Sequence, residues 1–411
     1  MRHRFLPGRF RRPGLALTAG LLMVCQGCGR PTTVNVEDTT PPFSFRALDL
    51  QQRSSDGKKA WTLKSPEARY DLRSSVARAL RPEGVIFDKG QPLYKLVAST
   101  GTVINDGAVI LLEGDIRLQR LGKYPLLLSA DRALWIPREA LMRFDLSPQV
   151  RNLQTRISAR TATLHLDRDL LKLQGEPKVE RWSRPVPLNV KRSEQAPEIL
   201  GILKEIQWNP GKGDLKGEGP VTITRRPPDR AVARRPQVLR ASRLEANTLK
   251  QEYTLFPPVQ LEDPSENSWF RGGEFTIDTK DQWLKSKASF QAQKGELQLE
   301  GEQLRLDSKR TLATIGNNCR LRQGGDALQA QQCQWNWTTQ AVEAGGNVLY
   351  QRAASRQLTR AQRIEGSLGP KGSLKATAPD GKVFSQLQVP RRAGPGKKPA
   401  EARPKLEPIV F

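Results

Sequence analysis

The side chains capable of acid–base or metal chemistry are few. The 411 residues contain two histidines, His3 and His165, so neither a histidine general base with its orienting partners nor a histidine metal cluster can be assembled. His165 has Asp167 and Asp169 close by. Two carboxylates two residues apart on a strand share a face, an arrangement able to work as acid and base on a glycosidic bond. Both acids, however, flank Arg168 where the pattern reads as a hairpin turn, and aspartate is favoured there for its hydrogen bonds to local backbone. That structural reading is preferred, with His165 as a strand surface residue and a glycosidase as the alternative. No G-x-S-x-G elbow, Walker loop or H-E-x-x-H occurs, and Gly211-Lys212-Gly213-Asp214 reads as a turn because it lacks the frame and following helix of a phosphate loop. No catalytic residue, metal site or cofactor is assigned, and the chain is expected not to be an enzyme.

The cysteines carry the remaining chemistry. Cys25 and Cys28 follow a basic segment with Arg2, Arg4, Arg9, Arg11 and Arg12 and the apolar stretch Leu15–Val24, the layout of an export signal. At about ten residues that stretch is too short to span a bilayer as a helix, which takes ~20. Leu22-Met23-Val24-Cys25-Gln26-Gly27-Cys28 resembles a bacterial lipobox, with Gly27 as the small residue before the modified cysteine. Cys28 is therefore the expected lipidation site. Cys25 stands where the pattern has leucine, and ordinary cleavage or an uncleaved anchor are the alternatives. Cys319 and Cys333 form an even pair that an oxidising compartment can join. Their separation across Gly324-Gly325-Asp326 suits cross-strand neighbours on a hairpin, and two buried free thiols are the alternative.

The elements that must position these groups are strands. From Phe43 onward apolar and polar residues alternate, as in Ile110, Leu112, Gly114, Ile116 and Leu118 against Glu113, Asp115, Arg117 and Gln119. A period of two means one buried face. Leu171, Leu173, Gly175 and Val179 repeat the pattern, as do Val221 and Ile223, and Val342, Ala344, Gly346, Val348 and Tyr350. No comparable stretch has a helical period, and no run approaches the ~20 apolar residues of a membrane span. The formal charge of +25, from 67 Lys and Arg against 42 Asp and Glu, favours anionic partners: nucleic acid, phospholipid headgroups or phosphorylated glycolipid. The basic residues are spread through every segment rather than packed on one helix, which argues against a nucleic-acid reader.

Repeats emerge when a small residue opening one strand is aligned with the apolar residue closing the next hairpin arm. Ala98 to Ile116, Ala241 to Val259 and Ala330 to Val348 are each eighteen apart, whereas Ala130 to Val150 and Ala159 to Val179 are twenty apart. Ser65 to Val85 and Gly201 to Val221 fit the longer spacing loosely. Each unit closes on a similar phrase, such as Gly114-Asp115-Ile116, Gly346-Asn347-Val348 or Gly175-Glu176-Pro177-Lys178-Val179. A hairpin cannot bury its apolar face alone, so the units must stack over a shared core, as in a jelly roll or β-solenoid. The expectation is an all-β, elongated stack of hairpin repeats in two successive arrays, with boundaries set by composition: signal 1–28, tether 29–44, first array 45–225, Pro/Arg linker 226–236, second array 237–390 and a basic disordered tail 391–411.

Residues 61–120 resemble the LptC family, the periplasmic component of lipopolysaccharide export that is held to the inner membrane. The residues that carry this are Trp61-Thr62-Leu63, Ala68-Arg69-Tyr70, Gly84-Val85-Ile86-Phe87-Asp88 with Pro92-Leu93-Tyr94, and Ala98 leading to Leu112-Glu113-Gly114-Asp115-Ile116-Arg117-Leu118. The units of the second half, notably 330–352, look like the related LptA/OstA repeat. Typical LptC proteins are about half this length and carry an N-terminal helix, whereas this chain has a lipobox-like signal and an apparent second array. The resemblance implies an open, V-shaped β-jelly roll that accepts acyl chains and pairs edge to edge with an LptA-like bridge protein. It further implies lipopolysaccharide as cargo, an inner-membrane ABC exporter as its source, and residence in the periplasm at the inner membrane. The groove residues expected from it are Trp61, Leu63, Tyr70, Val85, Phe87, Leu96, Ile110, Leu112, Ile116 and Leu118. Two other classes stay open: a structural cell-surface β-solenoid scaffold, and a polysaccharide-binding or polysaccharide-cleaving solenoid, for which Trp335 and Trp337 on one strand face are the motivating pair.

Overall fold

The structure, a computed structural model, describes residues 43–190, 196–226, 235–368, 372–379 and 381–388. The chain divides into two compact units, Met1–Pro41 and Pro42–Phe411. The first unit, with the expected export signal and Cys28, lies outside the described residues, as do residues 227–234 of the expected linker and the expected tail 391–411.

The described part of the second unit is all-β, with 34 antiparallel strands and two one-turn 3-10 helices, Asn105–Gly107 and Pro137–Glu139. The chain weaves between two walls. Lys59–Ser65 lies in the first wall, Glu67–Asp71 and Val76–Leu80 in the second, and Glu83–Asp88 and Gln91–Val97 in the first again. Val109–Arg120 belongs to both: its first half pairs with Thr100–Ile104 of the second wall and its last residues with Gln91–Val97 of the first. Three further strand pairs and the partner of this one are shared in the same way, and each of the four long ladders has a register break at its middle, between Ala130/Arg132, Glu218/Val221, Glu300/Glu302 and Gly345/Val348. The strands flanking residues 226–236, Asp214–Arg225 and Gln237–Asn247, pair with one another along their length, so the hydrogen-bonded sheet continues past that segment.

The recurring sequence phrases are the corners where the chain passes from the second wall to the first. A strand can turn sharply without losing its partner by inserting an extra residue in a left-handed conformation, which glycine, asparagine and aspartate tolerate best. Gly114 and Asp115 have φ of +74° and +45°, and Gly346 and Asn347 have +77° and +52°. On the return path a small residue occupies the corner, and Ala130 pairs with Ile116, Ala241 with Val221 and Cys319 with Ala330. The spacing between small and apolar residues is thus the length of one hairpin of the second wall, from the corner where the chain leaves the first wall to the corner where it returns.

Cys319 and Cys333 are joined in a disulfide with a Cα–Cα distance of 5.9 Å. The bond is not between the arms of one hairpin. Cys319 pairs in the first wall with Ala330, whereas Cys333 lies past that hairpin in the second wall, opposite Ile315 and Ala344. The disulfide therefore staples wall to wall at a corner.

Two outcomes follow from this geometry. Gly346→Ala places a Cβ 2.6 Å from the Gln331 side chain at positive φ, and should cost about 1–2 kcal/mol. Gly345→Ala, whose nearest neighbour would lie at 3.6 Å, should leave the urea midpoint unchanged; equal midpoints for the two variants would contradict the corner assignment. Replacing Cys319 and Cys333 together with alanine should lower stability by roughly 3 kcal/mol, the loop-closure value for a ring of this size, read as a difference between oxidised wild type and variant in denaturant unfolding.

Candidate functional site

The two walls enclose one apolar interior. Because the register breaks fall at the corners and pairing within each wall keeps its phase, inward side chains fall into rows that cross successive strands. In the second wall one row runs Ile110, Trp135, Met142, Leu164, Leu171, Trp208, Leu215, Ala246, Tyr253, Ile277, Leu284, Leu306, Ala313, Trp335 and Val342. Facing it in the first wall, a row runs from Leu63 through Gly84, Leu96, Leu118, Leu128, Val150 and Ile157 to Val179, Gly201, Ile223, Leu239, Leu261 and Phe270. Both rows lie on the side of the interior away from the corners, where the hairpin turns of the two walls form opposing rims.

The rims meet at one end of the stack. Asp169, in the turn after Thr161–His165 of the second wall, accepts hydrogen bonds from the Tyr94 hydroxyl and, at 3.0 Å, from Arg120 Nε, both residues of the first wall. It also accepts the Gly211 backbone N–H at 3.1 Å, and Arg120 donates to the Tyr124 carbonyl at 3.1 Å. Burial first, and then the neighbouring Asp169 carboxylate, push the Tyr94 phenol well above its ordinary range. The phenol therefore stays a donor, and a nearly dry ion pair latches wall to wall. Beside it Trp61 of the first wall meets Trp135 of the second edge to face, with ring centroids 5.2 Å apart, and lies against Gly107 of the opposite rim. Near the other end Asp326 accepts from Tyr350 and Arg352 within the first wall, and Arg352 Nη2 also donates to the Gly372 carbonyl at 3.0 Å.

Between these ends the interior opens. Leu63, Leu96, Ile110, Leu112 and Ile116 have no exposed surface, whereas Leu215, Tyr253, Ile277, Leu284 and Leu306 of the second wall and Ile223, Leu239, Leu261 and Ala292 of the first are only partly buried against the same core. Among the described residues from Asp214 to Leu312, no hydrogen bond joins the two rims. The floor below stays closed, built from Leu255, Phe275, Leu304 and an aromatic cluster in which Phe270 stacks on Phe290 and meets Phe275 edge to face.

The expected groove residues Trp61, Leu63, Leu96, Ile110, Leu112, Ile116 and Leu118 all line the closed part of this interior, with Tyr70 half-buried at its edge. Val85 and Phe87 do not. In Glu83–Asp88 the inward places fall to Gly84 and Ile86, and Val85 and Phe87 are half-exposed on the other side; a Cβ on Gly84 would touch Leu63 and Leu96. A glycine at an inward position hides the phase of the alternation. Asp167 is an exposed turn residue beside Arg168, as read from sequence, but Asp169 is the centre of the latch. Its partners are 75 and 49 residues away, beyond the reach of any local pattern. The available signal was Arg120 itself, in inward register two residues after Leu118. Trp335 is buried and Trp337 packs partly on the core, so the pair is not an exposed carbohydrate platform. Among the described residues no group of three or more His, Cys, Asp or Glu side chains is placed to hold a metal, and no helix is long and apolar enough to cross a membrane.

A two-walled antiparallel stack with a continuous apolar interior is a β-jelly roll of the kind that holds chain-like apolar ligands between its walls. Residues 15–176 match the family described as LptC, lipopolysaccharide-assembly, LptC-related, and that segment is similar to the family. The match supports a role in lipopolysaccharide transport. It covers the latched, closed part of the interior and ends before the open part. No curated protein matches the chain.

Removing the latch carboxylate tests its part in holding the walls. Asp169→Ala leaves the Arg120 guanidinium and Tyr94 hydroxyl buried without their acceptor, and should cost about 3 kcal/mol. Asp167→Ala should leave the unfolding midpoint unmoved. Equal midpoints for both variants would show that the latch carries no load.

Proposed function

We propose that this chain is a non-enzymatic periplasmic carrier that takes lipopolysaccharide from an inner-membrane ABC exporter and passes it to a bridge protein through the interior between its walls. The observation that carries this reading is the unbroken apolar row across successive strands, joined to the LptC-related match over residues 15–176. A row without interruption lets acyl chains keep apolar contact at every strand, while the excess of basic residues on the outer faces and rims attracts phosphorylated sugars. The chain need supply no energy; an ATPase elsewhere drives the flow. Cys28 is the proposed anchor to the inner membrane.

Transfer to a bridge protein needs free strand edges. Among the described residues, Phe43–Phe45 and Leu48–Arg53 at one end each pair on one side only, and Phe384–Leu387 at the other does the same. Phe43, Phe384 and Leu387 are exposed. Unpaired backbone donors and acceptors beside exposed apolar side chains are what a further jelly roll of LptA-like type would pair with.

In-cell photocrosslinking decides the matter. Probes at Ile116 and Val348, both inward, should give lipopolysaccharide adducts, and a probe at Phe87, on the outward side, should not. Ile116→Arg buries a charge in the closed layer and should abolish export. Absence of adducts at Ile116 and Val348, in cells where a known transport component gives them, would favour the structural scaffold.

A further inference from the structure

Five cations stand in inward register at the lip of the first wall, each two residues beyond the side chain of its row: Arg120, Arg181, Arg225, Lys294 and Arg352. Toward the ends of the mouth Arg120 is neutralised by Asp169 and Arg352 by Asp326. Lys294 has Glu296 two residues on, across its turn. Arg181 and Arg225 differ. Among the described residues neither side chain has a partner. Arg181 pairs with Ile199 and Ile199 with Arg225, so the two backbones lie about 10 Å apart. The surrounding carboxylates are engaged or turned away. Glu180 is buried on the other face of the wall against Arg156 and Lys178, and Asp281 pairs with Lys309. Asp263 accepts from Gln237 and Ser265. Glu198, next to the inward Ile199, is in outward register, and so are Asp214 and Glu252 of the second wall, which both stand opposite Asn247. The second-wall turns over the open stretch add neutral groups, Thr248, Gln251, Thr279 and Gln282, with the Thr279 hydroxyl donating to Gln251.

A guanidinium is a planar fork of donors, and phosphate oxygens match it with two parallel charge-assisted hydrogen bonds. Two such forks without carboxylates, side by side on one lip, fit a ligand that carries more than one phosphate. Hydroxyl and amide side chains on the other lip fit sugar hydroxyls, which both donate and accept. We propose that Arg181 and Arg225 form a binding site for a phosphorylated saccharide at the mouth of the interior. Both residues lie outside the segment 15–176 that matches LptC. The identity of the saccharide as the head of a glycolipid rests on the transport reading, whereas the site itself rests on the two unpaired guanidinium groups.

The test uses the purified full chain and a deacylated, phosphorylated core oligosaccharide of lipopolysaccharide, which has no apolar part, with binding followed by calorimetry. Replacing both arginines, Arg181→Gln with Arg225→Gln, should weaken binding by about tenfold or more. Arg143→Gln, exposed on the outer face of the second wall, should leave it unchanged. Phosphatase treatment of the oligosaccharide should lower the wild-type affinity to that of the double variant, a comparison that needs no altered protein and is independent of folding. Inorganic phosphate alone should bind about tenfold more weakly than the oligosaccharide. Equal affinity of wild type and double variant, an equal loss in Arg143→Gln, no effect of phosphatase, or phosphate bound as tightly as the saccharide overturns the proposal. Absence of oligosaccharide binding together with lipopolysaccharide adducts at Ile116 removes the site and leaves the transport reading intact. Oligosaccharide binding without any adduct at Ile116 keeps the site and identifies its ligand as a free phosphorylated saccharide.

Discussion

Everything in this fold depends on the tolerance of a few backbone positions for a left-handed conformation. A strand that serves two walls must bend by a large angle while both halves keep their hydrogen-bonded partners, and an extra residue at positive φ is the cheapest way to do it. Gly114-Asp115 and Gly346-Asn347 do so in the middle of long strands. Because every circuit bends at the same depth, inward residues of successive circuits fall in register. Apolar rows, closed floor and opposing rims all follow from that single repetition. The Cys319–Cys333 bond sits at such a corner, where a covalent staple least disturbs the rows.

Closure is a separate property from stacking. The apolar rows are continuous, yet only part of the interior is sealed. The seal comes from a handful of contacts across the mouth: the Tyr94–Asp169–Arg120 cluster, the Trp61–Trp135 pair, and the Arg352–Gly372 hydrogen bond near the far end. An ion pair in such a place contributes little net stability when intact, because desolvation offsets most of the attraction, but it is costly to break on one side. Such a contact specifies one closed geometry without adding much to the depth of the energy well. Where rim contacts are missing, the walls leave their inner faces partly wet.

Much of the architecture was legible in the sequence because alternation and corner phrases are local. Two-residue periodicity identified strands, and the distance from Ala98 to Ile116 or from Ala330 to Val348 measured one second-wall hairpin before either wall was known. What stayed hidden is non-local or depends on the absence of a side chain. Gly84 occupies an inward place that a search for apolar residues skips, which put Val85 and Phe87 on the wrong side. Asp169 has the local character of a turn residue, and only the folded walls bring Tyr94 and Arg120 to it. Leu164 is buried and Leu284 only partly so, a difference set by the surroundings of each leucine in the fold and not by either residue. The disulfide partners were visible as a pair, but the wall-to-wall direction of the bond required the topology.

The register row of the second wall is very nearly a lattice: one apolar side chain per strand, one strand every ~4.8 Å, from Ile110 to Val342. A flexible apolar chain laid across such a lattice finds no position much better than the next. Displacing it by one strand exchanges one set of dispersion contacts for an equivalent set, so the free-energy profile along the row is a shallow ripple and not a series of wells. Movement along it would then behave as one-dimensional diffusion with a small barrier per step, and a weak push from one end suffices to give it direction. An interior with deep individual subsites would bind a single molecule more tightly and would stop the traffic.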